Sequence, residues 1–102
     1  MTKQKKVALI VHFYIKEEFS EEAPAFFAQH EKNGRGDQGN LAFFVHRHSD
    51  DPCRYSSYEV WENEGCIEAH DETVHHKKFI ERLKTMQERE KEVMMLEVDR
   101  PS

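Results

Sequence analysis

The sequence predicts a single α+β domain, a four-stranded antiparallel sheet carrying two helices on one face. Three observations point there. Runs at Val7–Ile15, Leu41–Arg47, Arg54–Trp61 and Val93–Val98 have the length and the branched or aromatic content of strands. Helical spacing of apolar residues fills the gaps after the first and third runs. A chain of 102 residues is one domain long.

Val7–Ile15 (VALIVHFYI) contains no Gly or Pro. The period-two rule puts Val7, Leu9, Val11, Phe13 and Ile15 on one face, and Ala8, Ile10, His12 and Tyr14 on the other. The uniformly apolar face is the one to meet helices. Ser20 offers an N-cap followed by Glu21 and Glu22, and Pro24 falls in the first turn, where a missing N–H is no loss. Phe19, Ala23, Phe26, Phe27 and His30 recur at helical spacing, which gives a helix from about Glu21 to Glu31. Lys32–Asn40, with Gly34, Gly36 and Gly39, reads as a loop. Leu41–Arg47 is the second strand, Ser49–Pro52 a turn, and Arg54–Trp61 the third strand of an antiparallel hairpin. In that third strand Tyr55, Ser57, Glu59 and Trp61 share a face. Asn63 caps a second helix, which Thr73 and Val74 interrupt or kink. Phe79, Ile80, Leu83 and Met86 form its apolar stripe. Gln87–Glu92 reads as a solvated helix end, Val93–Val98 as the last strand, and Arg100–Ser102 as a tail. The order β-α-β-β-α-β is the ferredoxin-like arrangement, and right-handed crossovers place both helices on one side.

On this reading the other sheet face carries Ile10, His12, Tyr14, Tyr55, Glu59 and Trp61. Such a face needs cover. Two copies packed sheet to sheet would supply it, so a homodimer is expected, with a pocket between each sheet and its helices or partner.

Composition narrows the function classes. Only 37% of residues are hydrophobic and 34% are charged, so the core is thin. The formal charge of −5 is a poor match for a phosphate backbone, which excludes nucleic acid as the expected partner. Cys53 and Cys66 are the only cysteines, too few for a disulfide framework. The basic start MTKQKK leads into a run too short to span a bilayer, with no small-residue cleavage site. A cytoplasmic protein with no membrane partner is expected. Seven histidines are many for this length; protonating all of them would shift the formal charge by seven, to +2. The loop NGRGDQG lacks the GK[ST] ending of a phosphate loop.

The stretch GNLAFFVHRHSDDPCRYSSYEVWENEGCIEAHDETVHHKKF resembles an antibiotic biosynthesis monooxygenase domain. The pattern is Gly with a following Leu, a strand, an acidic-Pro turn, Tyr-Glu-Val-Trp, Ala69-His70, then His75 and Phe79. It departs at Val74, where the family often has Pro, and at His76, where an aromatic is usual. The resemblance spans about Val7–Val98 and implies a dimeric α+β barrel. The family includes quinol and anthrone monooxygenases that use neither metal nor flavin, haem-degrading monooxygenases, and an isomerase of phosphorylated autoinducer-2. It therefore specifies architecture better than reaction.

The leading expectation is a cofactor-free monooxygenase acting on a small quinol-like or polyketide-like substrate. His12 is the candidate base, since a pocket histidine can deprotonate a phenolic or enolisable molecule, and His70 is a second polar group. Tyr14, His30, Phe44, Tyr55 and Trp61 are candidate substrate-binding residues. The resemblance supports His30 and Trp61, whose family counterparts face the pocket; a helix-end cation and a core indole are the structural alternatives. Glu59 reads as structural. His70 and His75 are five apart, not at the four-residue spacing that aligns two imidazoles on a helix, so no metal site is expected. The haem degraders use an Asn on the first strand, where this chain has His12 and Tyr14. The alternatives are the isomerase, with Arg47 and Arg54 as phosphate donors, and a non-enzymatic dimeric binding module.

Overall fold

The computed structural model describes residues 5–98. Its elements are β1 (Val7–Ile15), α1 (Ala23–Arg35), β2 (Asn40–His48), β3 (Asp51–Trp61), α2 (Glu64–Asp71), α3 (Val74–Met86) and β4 (Gln87–Glu97), with a single 3-10 turn at Glu17–Phe19. The sheet order is β2-β3-β1-β4, and every neighbouring pair is antiparallel. This is the expected ferredoxin-like α+β fold. The tail expected from Arg100 lies outside the described residues.

β1 sits centrally because it can be buried on both sides. Val7, Leu9, Val11, Phe13 and Ile15 join the core beneath the helices. Phe13 packs on Phe27 of α1 (ring centroids 5.0 Å) and on Phe79 of α3 (5.9 Å). Phe26 stacks on Phe79 at 4.8 Å, and Phe27 stacks on Tyr55 of β3 at 4.3 Å. A sparse apolar set thus closes one aromatic core. Outside it, the Arg82 guanidinium donates to both oxygens of Glu22, at 2.6 and 2.9 Å, tying α3 to the start of α1.

Helix boundaries differ from expectation in three places. α1 begins at Ala23 with Glu22 in the cap position, and Ser20 instead closes the 3-10 turn, so it is not the N-cap. α1 runs through Gly34 to Arg35 rather than ending at Glu31. Gly34 faces Phe43, whose Cζ would lie 2.8 Å from a Cβ at this position, so the glycine lets helix and strand approach. Gln87–Glu92 is strand, not helix end. Its partners on β1 include Ile15 for Gln87, Tyr14 for Arg89 and His12 for Glu92. An unpaired β1 edge outweighs the helical preference of QEREKE. No loop separates the elements there: Met86 ends α3, Gln87 begins β4, and the Lys16 N–H donates to the Met86 carbonyl at 2.8 Å.

The helix break falls where expected. Asn63 Oδ1 accepts from the Cys66 N–H at 3.0 Å to start α2, and Thr73 Oγ1 accepts from the His76 N–H at 3.2 Å to start α3. Two N-caps ten residues apart turn the chain sharply at His70–Thr73 and aim the histidines of both helices at one place.

Candidate functional site

Sheet register decides which side chains reach that place. β1 and β3 pair Val7 with Trp61, Leu9 with Glu59, Val11 with Ser57 and Phe13 with Tyr55. Tyr55, Ser57, Glu59 and Trp61 therefore share the helix-covered face with the core residues of β1. His12 and Tyr14 lie on the opposite, outer face, opposite Ser56 and Arg54.

Between the inner face and the helices lies a cleft of about 740 Å³, large enough for a small organic ligand. Leu9, Val11 and Phe13 form its floor, and Ile67, Phe79 and Ile80 its roof. Val93 and Met95 of β4 extend the apolar lining. Its polar lining includes the buried or part-buried His30, Glu59, His70 and His76, with Asp71, Lys77, Glu81, Lys84 and Lys91 also contributing.

Each of the first four is positioned by its neighbours. The His30 ring stacks on Phe79 at 3.6 Å and meets the edge of Phe43 at 5.1 Å. Burial, reinforced by the nearby His76, His70 and His75, pushes its pKa down to about 2, so it is a neutral ring at any ordinary pH. Burial likewise lowers His76 to about 4. Glu59 accepts from Ser57 Oγ at 3.0 Å and from Trp61 Nε1 at 3.1 Å. Its burial raises the carboxyl above the usual range despite those two donors.

His70 is 3% exposed and has the most directive contacts. Its Nδ1 is hydrogen-bonded to Asp37 Oδ2, and His75 Nε2 bonds the other oxygen at 2.8 Å. A carboxylate only accepts, so in both rings the bonded nitrogen carries the hydrogen. A neutral His70 is then the Nδ1–H tautomer, and Nε2 is left with the lone pair, the form a general base requires. The ring packs against Trp61 at 4.8 Å, and Thr73 Oγ1 donates to the His70 carbonyl at 2.7 Å. Asp37 comes from the turn after α1. Gly39 shapes that turn with φ of +82°, and a Cβ there would lie 2.8 Å from the Cys66 Cβ. Two sets of ligand-type atoms lie within 4.8 Å of one another: Asp37, His70 and His75, and His70, Asp71 and His76.

The family model for antibiotic biosynthesis monooxygenase matches residues 6–82. The chain belongs to the antibiotic biosynthesis monooxygenase family. Solved structures agree on the fold. Proteins from Nitrosomonas europaea and Deinococcus radiodurans, both described as a "putative antibiotic biosynthesis monooxygenase", superpose with TM-scores of 0.86 and 0.84. The first is 18% identical, covering 95% of this chain and 93% of its own; the second is 17% identical, covering 94% and 95%. A Bacteroides thetaiotaomicron protein of unknown function, described as a possible oxidoreductase, has a TM-score of 0.83 at 18% identity, with 92% of this chain and 98% of that one covered. Among curated proteins, none matches. Family membership supports a general monooxygenase-like role with a small molecule. No helix among the described residues is long and apolar enough to cross a membrane.

Within this family member the expected site residues divide. His30 and His70 line the cleft. Trp61 is fully buried behind His70 and Phe43, supporting the wall rather than lining it. Tyr55 is core, stacked on Phe27. His12, Tyr14 and Phe44 are on the outer face, away from this cleft. His12 Nδ1 meets Ser56 Oγ at 2.6 Å, and His48 Nε2 meets the same hydroxyl at 2.7 Å. The Tyr14 hydroxyl donates to Glu92, while Arg54 and Arg89 lie over its ring at 5.0 and 3.7 Å. Phe44 pairs with Tyr58 and is 45% exposed; Phe43 is the one turned inward. Sequence reasoning missed Asp37, in the loop that lacks a phosphate-loop ending, and His76, noted only as a departure from the family pattern. It also gave Glu59 only a structural role. The available signal was Asp37 itself, the lone acid among glycines in NGRGDQG.

Proposed function

We propose that this chain oxidises a small, electron-rich molecule with dioxygen in the cleft between sheet and helices, and that His70, not His12, is the base. The observation that carries the reading is the Asp37–His70 hydrogen bond, which leaves Nε2 as the acceptor on a ring lining an apolar cleft. In the proposed reaction Nε2 takes a proton from a phenolic hydroxyl or from a methylene activated by an aromatic ketone. The resulting anion passes electrons to dioxygen. For a methylene the balance is CH2 plus O2 giving C=O plus H2O: one oxygen atom enters the substrate, the other leaves as water, and the substrate is the reductant. The stacked His30–Phe79 pair offers a flat neutral surface to an aromatic ring.

The same reading includes a homodimer. The outer sheet face exposes Phe44, Tyr58, Met94 and Leu96 at 40–46%, an apolar surface that a second copy would cover. Light scattering of a Leu96→Glu variant should then show a monomer.

Oxygen uptake over a panel of quinols and anthrones tests the chemistry. His70→Gln should lower kcat/KM by roughly 100-fold or more, the usual worth of a general base. Asp37→Asn should lower kcat with little change in KM. Undiminished rates in His70→Gln would remove the base, and an equal loss in His12→Ala would return it to the outer face. Turnover without oxygen would indicate isomerisation instead.

A further inference from the structure

We propose that Asp37, His70 and His75 form a binding site for a divalent transition-metal ion. The three come from separate elements, the turn after α1, the end of α2 and the start of α3, yet their ligand-type atoms converge within 4.8 Å. The set is a carboxylate oxygen, His70 Nδ1 and His75 Nε2. Two imidazoles with one carboxylate and no thiolate suit zinc, cobalt or nickel, with a further position left for water or a ligand. Tetrahedral bonds of about 2.0–2.1 Å hold ligand atoms roughly 3.3 Å apart. His75 Nε2 and Asp37 Oδ1 now stand 2.8 Å apart, so the shell need open by only about half an ångström there. The ion would take the place of the two N–H hydrogens that now bridge the rings to Asp37.

The supporting shell is already built. Trp61 packs on the His70 ring, and Thr73 both caps α3 and holds the His70 carbonyl. Asp71 and His76 bring two more donors to the same imidazole. On the proposed reading of His70 as the base, on which this consequence rests, the ion acts as an inhibitor. A metal on Nδ1 leaves the hydrogen of a neutral ring on Nε2, where the lone pair is needed.

Isothermal titration of chelator-treated protein with Zn²⁺ and with Co²⁺ tests the site. One ion per chain is expected, with visible absorption for bound Co²⁺ and a raised melting temperature. His75→Gln, partly exposed and so least harmful to folding, and Asp37→Asn should each weaken binding by at least about tenfold, as ligand-shell changes do. A His12→Gln/His48→Gln double variant removes the rival histidine pair that meets Ser56 on the outer face and should bind as the wild type does. No binding at millimolar metal, binding unchanged in both ligand variants, or binding lost only in the double variant would overturn the site. Metal binding by the wild type, together with undiminished activity of His70→Gln in metal-free solution, would refute the proposed base and leave the metal site standing.

Discussion

Replacing His30 by Phe should make the protein more acid-resistant by a calculable amount. His30 is 4% exposed, and its folded pKa lies near 2 against 6.5 for an unperturbed ring. The unfolded chain therefore binds a proton below pH 6.5 that the folded chain refuses. A lowered histidine pKa makes stability rise with pH through this window and fall on acidification. Between pH 7 and pH 5 the wild type should lose about 2 kcal/mol through this one group, with a further loss of about 1.4 kcal/mol per unit below that. The groups facing His30 are His70, His75 and His76, along with the rings of Phe13, Phe43 and Phe79. The three histidines are present in both proteins, so their own titration largely cancels in the difference. Phe keeps the stack on Phe79 and removes Nδ1, which is buried with no hydrogen-bond partner. Urea unfolding of both proteins at pH 7, 6 and 5 measures the effect. The stability gap should move by about 2 kcal/mol in favour of His30→Phe. A gap independent of pH, or one moving the other way, would show that His30 is not held neutral in the fold.

Other expectations follow from the same geometry. Glu59 has its folded pKa raised by burial, so stability falls as pH rises above its ordinary value of 4.5. Glu59→Gln should gain on the wild type between pH 5 and 8, by at most about 1.4 kcal/mol per pH unit; urea midpoints at the two pH values decide it. Gly39→Ala combines a left-handed φ with collision against Cys66, which should cost about 2–4 kcal/mol. Adding Cys66→Ala should recover the part due to collision, and a double variant no more stable than Gly39→Ala would show that Cys66 is not the obstacle.

Periodicity made the strands and the helix stripe readable, because each is a local property. Asn63 is readable as a cap by residue type, and Thr73 as a break; Ser20, read as a cap on the same ground, does not start α1. Face parity across the sheet is not local. His48 pairs with Asp51 around a two-residue turn, but the next pair is Arg47 with Tyr55, so the ladder slips by three residues. An odd slip inverts every later side chain. Without it Phe44 would oppose Tyr55 and point inward; with it Phe43 does. No residue type in HRHSDDPC marks that irregularity. β1 and β3 are not joined by a turn at all, so nothing in the chain between them sets whether His12 or Val11 faces Glu59. The site fails to show for a related reason: Asp37 and His70 are 33 residues apart and meet only once α1 and α2 are docked.

The direct passage from Met86 to Gln87 gives the cleft an unusual mechanical character. One wall, with Phe79, Ile80 and Lys84, and another, with Lys91, Val93 and Met95, are two arms of a single corner. Its vertex, Met86, is wholly buried and its carbonyl is pinned by Lys16. The aperture is therefore governed by an angle at one peptide rather than by the length of a connecting segment. A lengthened surface turn at Ser49–Asp50 would leave that angle alone, whereas a single residue inserted after Met86 would rotate one arm against the other and change the shape offered to every ligand.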